Sequence, residues 1–289
     1  MKRKCLELEK FIHISGLYTF FYFEHSSNYF FPGESHEFWE LVYVDRGSIS
    51  VVADNSAYLL KQGEVIFHKP NEFHTLASSP DEPHNILVTT FETNSPAMDF
   101  FKNKIFTLNS GHKKLLSYTL EEMNKAFFNG ILDNKLNNEA QLLDPAAYQL
   151  GISHLEHFLI DLLRDNSVIK HNENEKRLAR KNVENVLVDS IKAYLQSNVC
   201  NNVSLSEVCS HYNLSKSYIC EVFHNETGRS LIDYYIDLKI AEAKYFIRKG
   251  EMNFTQISEK LGYSCIHHFS RSFKSRTGMS PSTYQKTVR

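Results

Sequence analysis

The sequence predicts two domains of different class: an all-β barrel or double-sheet jelly roll with two packed helices, then an all-helical domain carrying two helix-turn-helix units. Three observations predict it. Up to about Glu92, short β-type runs alternate with turns; from Lys113 the apolar residues shift to helical spacing; and near the C-terminus a stretch repeats itself. There Thr227-Gly228-Arg229-Ser230 recurs 50 residues later as Thr277-Gly278-Met279-Ser280, Ile219/Phe223 recur as Phe269/Phe273, and upstream, at an offset of 49, Val208 and Asn213 answer to Ile257 and Gly262. At 289 residues the chain is too long for one comfortable core.

The strand candidates are Leu17–Phe23, Phe38–Val44, Ser48–Ala53, Glu64–His68 and Asn85–Phe91, with Asp45-Arg46-Gly47, Asp54-Asn55 and Gln62-Gly63 as turns. Strands this short at this spacing suit a barrel or jelly roll. Helical periodicity follows over Lys113–Phe128 and Ala146–Leu163, the latter through Leu155, Phe158, Leu159, Leu162 and Leu163. Residues 166–182 are largely polar and are expected to be the interdomain linker, dividing 1–165 from 183–289. Beyond it, Val183–Gln196 opens the helical domain, and Leu231–Lys249 is a periodic helix ending near Gly250; at about 1.5 Å per residue it is a strut of roughly 28 Å between the repeat units at about 204–227 and 254–277.

Composition limits the function classes. Hydrophobic content of 42% with 23% charged residues is that of an ordinary globular protein, no apolar run reaches eighteen residues, and acidic residues interrupt the start at Glu7 and Glu9, so the expectation is a cytoplasmic protein with no membrane partner. Five cysteines, odd in number and never in C-x-x-C spacing, point to reduced thiols rather than disulfides or zinc. The net charge of −2 hides a division: from Val183 onward 13 Lys/Arg face 10 Asp/Glu, leaving −5 for the rest. Positive charge gathered in one module is what phosphate neutralisation requires.

In the second unit, Phe269 and Phe273 share a face and belong to the core, so His267 and Arg271 point outward, flanked by Ile266 and His268. Arg donates bidentately to guanine and His donates or accepts at base edges, while Lys274 and Arg276 are placed for phosphates. The alternative is a solvated face, but such faces usually alternate in sign and this one is basic throughout. In the first unit Ser215 caps a helix whose core residues are Ile219 and Phe223, exposing Lys216, Ser217, Cys220 and Glu221. Glu221 repels phosphate yet can accept from cytosine N4; alternatively this unit only positions the other.

The run Ile257-Ser-Glu-Lys-Leu-Gly262-Tyr263 through Phe269, Arg271, Phe273 and Lys274, then Thr277-Gly278-Met-Ser280-Pro281 and Tyr284, closely resembles the signature of the AraC/XylS family of bacterial transcriptional regulators. The resemblance extends back through Leu214, Ser215, Ser217-Tyr218-Ile219, Phe223, Gly228, Tyr234, Leu238 and Ala243. It implies a seven-helix double helix-turn-helix domain with two recognition helices in consecutive major grooves of an operator, base contacts from Ser217, Cys220 and Glu221 and from Ile266, His267, His268 and Arg271, and activation through RNA polymerase. Cys220, Glu221, His267 and His268 depart from residues common in that family, so operator sequence does not transfer.

Glu34-x-His36-x3-Glu40-x6-Gly47, then Gly63 and Pro70 to His74, resembles the two short motifs of the cupin barrel, with Glu34 where its first His usually stands. In a strand His36 and Glu40 point together, and His74 can join them. Two imidazoles with carboxylates are a plausible transition-metal set and would make a metal-dependent enzyme. The favoured expectation is a cupin-like sensor without metal or cofactor, in which His36, Glu40, Trp39 and His74 meet a small effector, carbohydrate among the candidates. Phe38 and Phe67 are candidate aromatic walls, or Trp39 and Tyr43 if the strand presents its other face. The helices from Lys113 and Ala146 resemble the pair through which such sensors form homodimers. The resulting expectation is a ligand-responsive DNA-binding regulator; its rivals are a metal-dependent enzyme with a DNA-binding tail and a constitutive repressor.

Overall fold

The computed structural model describes residues 5, 7, 9–25, 29–79, 82–127, 142–169 and 173–288. The expected helix end at Phe128, linker residues 170–172 and the basic Arg289 lie outside them. The chain divides into two compact units, Met1–Val183 and Glu184–Arg289.

The first unit stacks two antiparallel sheets. Strands β1 (Gly16–His25), β8 (His84–Glu92), β3 (Trp39–Arg46), β6 (Glu64–His68), β9 (Ile105–Thr107) and β10 (Val168–Ile169) neighbour one another in that order in one sheet. The other sheet has the order β2 (Phe30–Glu34), β7 (His74–Ser78), β4 (Ser48–Ala53), β5 (Ser56–Lys61). Helices α1 (Ser110–Ala126) and α2 (Pro145–Asp165) pack together, and their apolar faces close a core with the six-stranded sheet. All five expected strands form; β2, β5, β7, β9 and β10 were not read from the sequence.

Strand β3 explains the layering. Trp39, Leu41 and Tyr43 enter the core shared with the helices, whereas Val42 and Val44 enter a second core between the sheets. Because both faces are covered, the first six residues of the strand are all buried and show no polar alternation. In β1 a register shift between Leu17 and Thr19 reverses the alternation. As a result Phe20 faces the helices while Thr19, Phe21, Phe23 and His25 face the space between the sheets.

The described residues of the expected linker have definite structure. Val168–Ile169 pair with Ile105–Phe106, and helix α3 (Glu173–Ser197) begins ten residues before the expected Val183. Within the first unit, Asn182 Nδ2 donates to Ser50 Oγ at 3.1 Å and Ser78 O at 2.9 Å, and Arg180 donates to Asn55 O at 2.8 Å. The polar residues that hid the helix serve here as donors to a sheet surface. α3 then runs on into the second unit, where Leu187, Val188, Ile191 and Leu195 are buried.

Six more helices follow: α4 (Leu205–Tyr212), α5 (Lys216–Thr227), α6 (Leu231–Lys249), α7 (Phe254–Lys260), α8 (Ile266–Thr277) and α9 (Pro281–Val288). With α3 they are the expected seven. The duplication reaches the caps. Ser204 and Glu207 form a capping box on α4, and 49 residues later Asn253 and Gln256 form one on α7. Helices α5 and α8 both end on a left-handed glycine, Gly228 and Gly278, after a threonine bonded to the carbonyl four residues back. Each turn between paired helices also needs a left-handed residue, Asn213 (φ 50°) in one and Gly262 (φ 68°) in the other.

Candidate nucleic-acid interface and ligand cavity

Helices α5 and α8 hang from the same internal pairs. Ile219, Phe223, Phe269 and Phe273 are each fully buried, which turns the opposite faces outward. On α5, Lys216, Ser217 and Glu221 are exposed and Cys220 is half-buried. On α8, His267, His268, Arg271, Lys274 and Arg276 are exposed and Ile266 is half-buried. The ten residues expected to face DNA thus fall into two clusters, one on each second helix.

Two details were not foreseen. Arg276, placed by the sequence among phosphate contacts, has its exposed guanidinium paired with two acids of the same domain: Nη2 pairs with Asp233 and Nε lies 3.5 Å from Asp237, both on α6. Arg229, at the end of the first unit, pairs with the same Asp237 at 3.0 Å. Arg276 therefore ties the C-terminal end of α8 to the connecting helix, and His267, His268, Arg271 and Lys274 are the basic side chains of this face without an acidic partner among the described residues. In addition, Ser215 caps α5 through the N–H of Tyr218 at 3.3 Å, whereas Cys265 at the same position of α8 makes no side-chain cap.

In the first unit a cavity of about 190 Å³ opens between the sheets. Its walls are largely apolar and aromatic, with Phe21, Phe23, Tyr29, Phe31 and Phe38, and one end is polar, with Glu34, His36, Glu40, His68 and His74. The register places these groups. Glu40 lies opposite His68 across β3/β6, and Glu34 opposite His74 across β2/β7. The β2 register shifts between Phe31 and Glu34, and Gly33 sits there at φ 100°, where a Cβ would come within 2.6 Å of the Phe73 ring. That kink brings Glu34 to His74.

At the polar end, His74 Nε2 is 3.3 Å from Glu40 Oε1 and His36 Nε2 is 3.5 Å from Glu40 Oε2. Burial by itself would raise the Glu40 carboxyl, but the two facing imidazoles outweigh it and hold the group down at about 2. Burial likewise works against a charged His74, and its Glu40 contact wins and raises it. Glu34 is raised, by burial and then by the charge of Glu40. His68 stacks on His74 with centroids 4.1 Å apart and donates through Nδ1 to the Glu72 carboxylate at 2.9 Å.

Of the four residues expected to meet an effector, His36, Glu40 and His74 come together in this cavity. Trp39 does not line it: it points to the opposite face of β3, 5% exposed in the helix-facing core. Phe38 lines the cavity and stacks on His36 at 4.0 Å, while Phe67, opposite Leu41, lies with Trp39 and Tyr43 in the helix-facing core. The sequence reading missed Thr19, Phe21, Phe23 and His25. Their i, i+2 spacing was the available signal, obscured by the bulge that decides which way it points.

A two-sheet domain with an internal cavity, followed by two helix-turn-helix units on one connecting helix, defines a DNA-binding transcriptional regulator with a ligand-binding module. Known proteins agree. Residues 16–129 match the model of the AraC-like ligand binding domain and residues 208–287 that of a helix-turn-helix domain. The chain is 27% identical over 253 residues to the uncharacterized HTH-type transcriptional regulator YdiP of Escherichia coli, covering 86% of this chain and 78% of that one. It is 22% identical over 259 residues to the HTH-type transcriptional activator RhaR of Cronobacter sakazakii, covering 89% and 87%. The chain belongs to the AraC/XylS family of transcriptional regulators. Among the described residues no helix is long and apolar enough to cross a membrane.

Proposed function

We propose that the protein is a ligand-responsive activator acting in the cytoplasm, and not an enzyme, which binds operator DNA as a homodimer through α5 and α8 in consecutive major grooves. The observation that carries this reading is the pair of outward faces on α5 and α8, hung from equivalent core residues and joined by the 19-residue α6. At about 1.5 Å per residue α6 spans roughly 28 Å, close to the ~34 Å between successive turns of a groove. Base contacts fall to Ser217, Cys220 and Glu221 on α5 and to Ile266, His267, His268 and Arg271 on α8, with Lys216 and Lys274 on phosphates.

The effector site is the cavity between the sheets, with His36, Glu40 and His74 at its polar end; aromatic walls suit a sugar or another small molecule with one flat apolar face. Residues 1–165 form the effector and dimerisation domain and 183–289 the DNA-binding domain. Exposed Tyr118 on α1 and Leu150 on α2 support dimerisation through these helices. Activation would proceed by contact with RNA polymerase, the effector favouring one of two arrangements through differential affinity.

Selection of genomic fragments bound by the full-length protein, followed by sequencing, tests the reading. Enriched fragments should carry pairs of half-motifs about 10 base pairs apart, one pair for each protomer. Enrichment of no shared sequence, or of a single half-motif, would contradict it.

A further inference from the structure

The lining of the cavity between the sheets is electrically one-sided. Two carboxylates line it, and among the described residues no lysine or arginine does. Glu40 has both oxygens engaged, Oε1 facing His74 Nε2 at 3.3 Å and Oε2 facing His36 Nε2 at 3.5 Å. Those two attractive pairs leave it little to offer a ligand. Glu34 differs: His74 Nε2, its ion-pair partner, is 4.0 Å away and stands closer to Glu40. The Glu34 side chain is 42% exposed and lines the cavity, so its carboxylate faces the space a ligand would fill with its charge largely unanswered.

Aromatic faces stand around that charge. Phe31 precedes Glu34 on β2, and Phe38 lies face to face with His36 at 4.0 Å, both on the cavity wall. Burial first, and then the charge of Glu34, raises the Tyr29 phenol, which sets that ring near the carboxylate. Ring faces carry negative potential and attract cations. The wall threonines are already engaged: Thr19 and Thr90 bond each other, and Thr75 donates to the carbonyl of Phe31. A sugar needs partners for most of its hydroxyls, and these walls supply few. An anion would meet the Glu34 charge and no ammonium or guanidinium. At about 190 Å³ the cavity is smaller than the roughly 300–1,000 Å³ of drug-sized pockets and suits one ring with a short chain.

We propose that the cavity takes a small organic cation, an amine on a compact apolar body, whose ammonium meets Glu34 while its body lies against the aromatic walls. This deepens the effector reading above and rests on it for its regulatory meaning. Calorimetric titration of the full-length protein with three ligands of similar body tests it: phenethylamine, protonated at neutral pH, the neutral 2-phenylethanol and the anionic 3-phenylpropanoate. The amine should bind once per chain and about 10-fold or more tighter than the alcohol, with the acid weakest. In Glu34→Gln the amine should lose about 10-fold while the alcohol is unchanged; if that variant does not fold, the charge series in the unmodified protein still decides. Equal binding of amine and alcohol, tightest binding of the acid, no binding of the amine, or an amine preference that survives Glu34→Gln each overturns the cation. Binding of the alcohol or acid instead would leave the cavity as the effector site for a ligand of other charge. An amine bound with the expected preference that leaves operator affinity unchanged would uphold the site and overturn its regulatory role.

Discussion

Lys239 Nζ donates a 2.7 Å hydrogen bond to the carbonyl of Leu261, the residue that ends α7. The lysine is 5% exposed and lies over the rings of Tyr235 and Tyr263, at 4.8 and 5.4 Å from their centroids. Burial holds its ammonium below the usual range, and the carbonyl and two ring faces compensate for lost water. The connecting helix thus grips the turn of the second helix-turn-helix unit. Lys239→Met keeps most of the volume but strands the carbonyl, and should cost about 1–3 kcal/mol in urea unfolding. An unchanged midpoint would mean that water replaces the ammonium.

Gly262 takes φ 68°, and a Cβ there would lie 3.1 Å from the carbonyl oxygen of Asn201. Gly262→Ala combines left-handed strain with that contact and should lose about 1–2 kcal/mol. Asn213→Gly, in the corresponding turn, should change stability by only a few tenths of that. Equal losses at the two turns would show that their likeness is superficial.

Arg271 and Arg276 lie on one helix and should behave differently. Arg271→Ala should weaken operator binding by about 1–3 kcal/mol and relax preference at one base. Lys274→Ala should lower the salt dependence of binding by about one counterion, whereas Arg276→Ala should leave that slope nearly unchanged because Asp233 and Asp237 already hold its guanidinium. Binding isotherms at several salt concentrations distinguish the three, and a full counterion lost in Arg276→Ala would reassign it to phosphate.

Cys265 occupies the N-cap of α8 without a side-chain cap. Cys265→Ser should add about 0.5–1 kcal/mol of stability by supplying the hydroxyl that Ser215 gives α5. A destabilised serine variant would indicate that the thiol is doing more than filling the position.

His84 is fully buried and neither ring nitrogen makes a hydrogen bond with the described residues. Burial first, and then the charge of His25, lowers it from 6.5 to about 4. Since the fold holds the neutral ring, the unfolded chain binds a proton below pH 6.5 and the folded chain does not until about pH 4. Stability from this residue is therefore complete above pH 6.5 and is lost as pH falls toward 4, a change on the order of 2–3 kcal/mol. His84→Phe should flatten the slope of urea stability between pH 7 and 5; an identical slope would place the titration elsewhere.

Much of this molecule was legible because its signals are local. The spacing of Ile219/Phe223 and Phe269/Phe273 forces one face of each recognition helix inward, so the outward residues follow without a structure. The repeat, the left-handed turn residues and the alternation that brings His36 and Glu40 together are of the same kind, each decided within a few residues of backbone geometry. Tertiary structure decided what depends on groups distant in sequence. Arg276 left the phosphate-facing set because Asp233 and Asp237 stand on another helix. Trp39 and Phe67 left the cavity because strand pairing and a second covering layer determine which face of a doubly buried strand is inside. The helical structure of the polar segment before Val183 goes with donors that find Ser50 and Ser78 on a sheet and Asn55 in the turn beside it. Periodicity says that a strand or helix has two faces; only the packed partner says what each face meets.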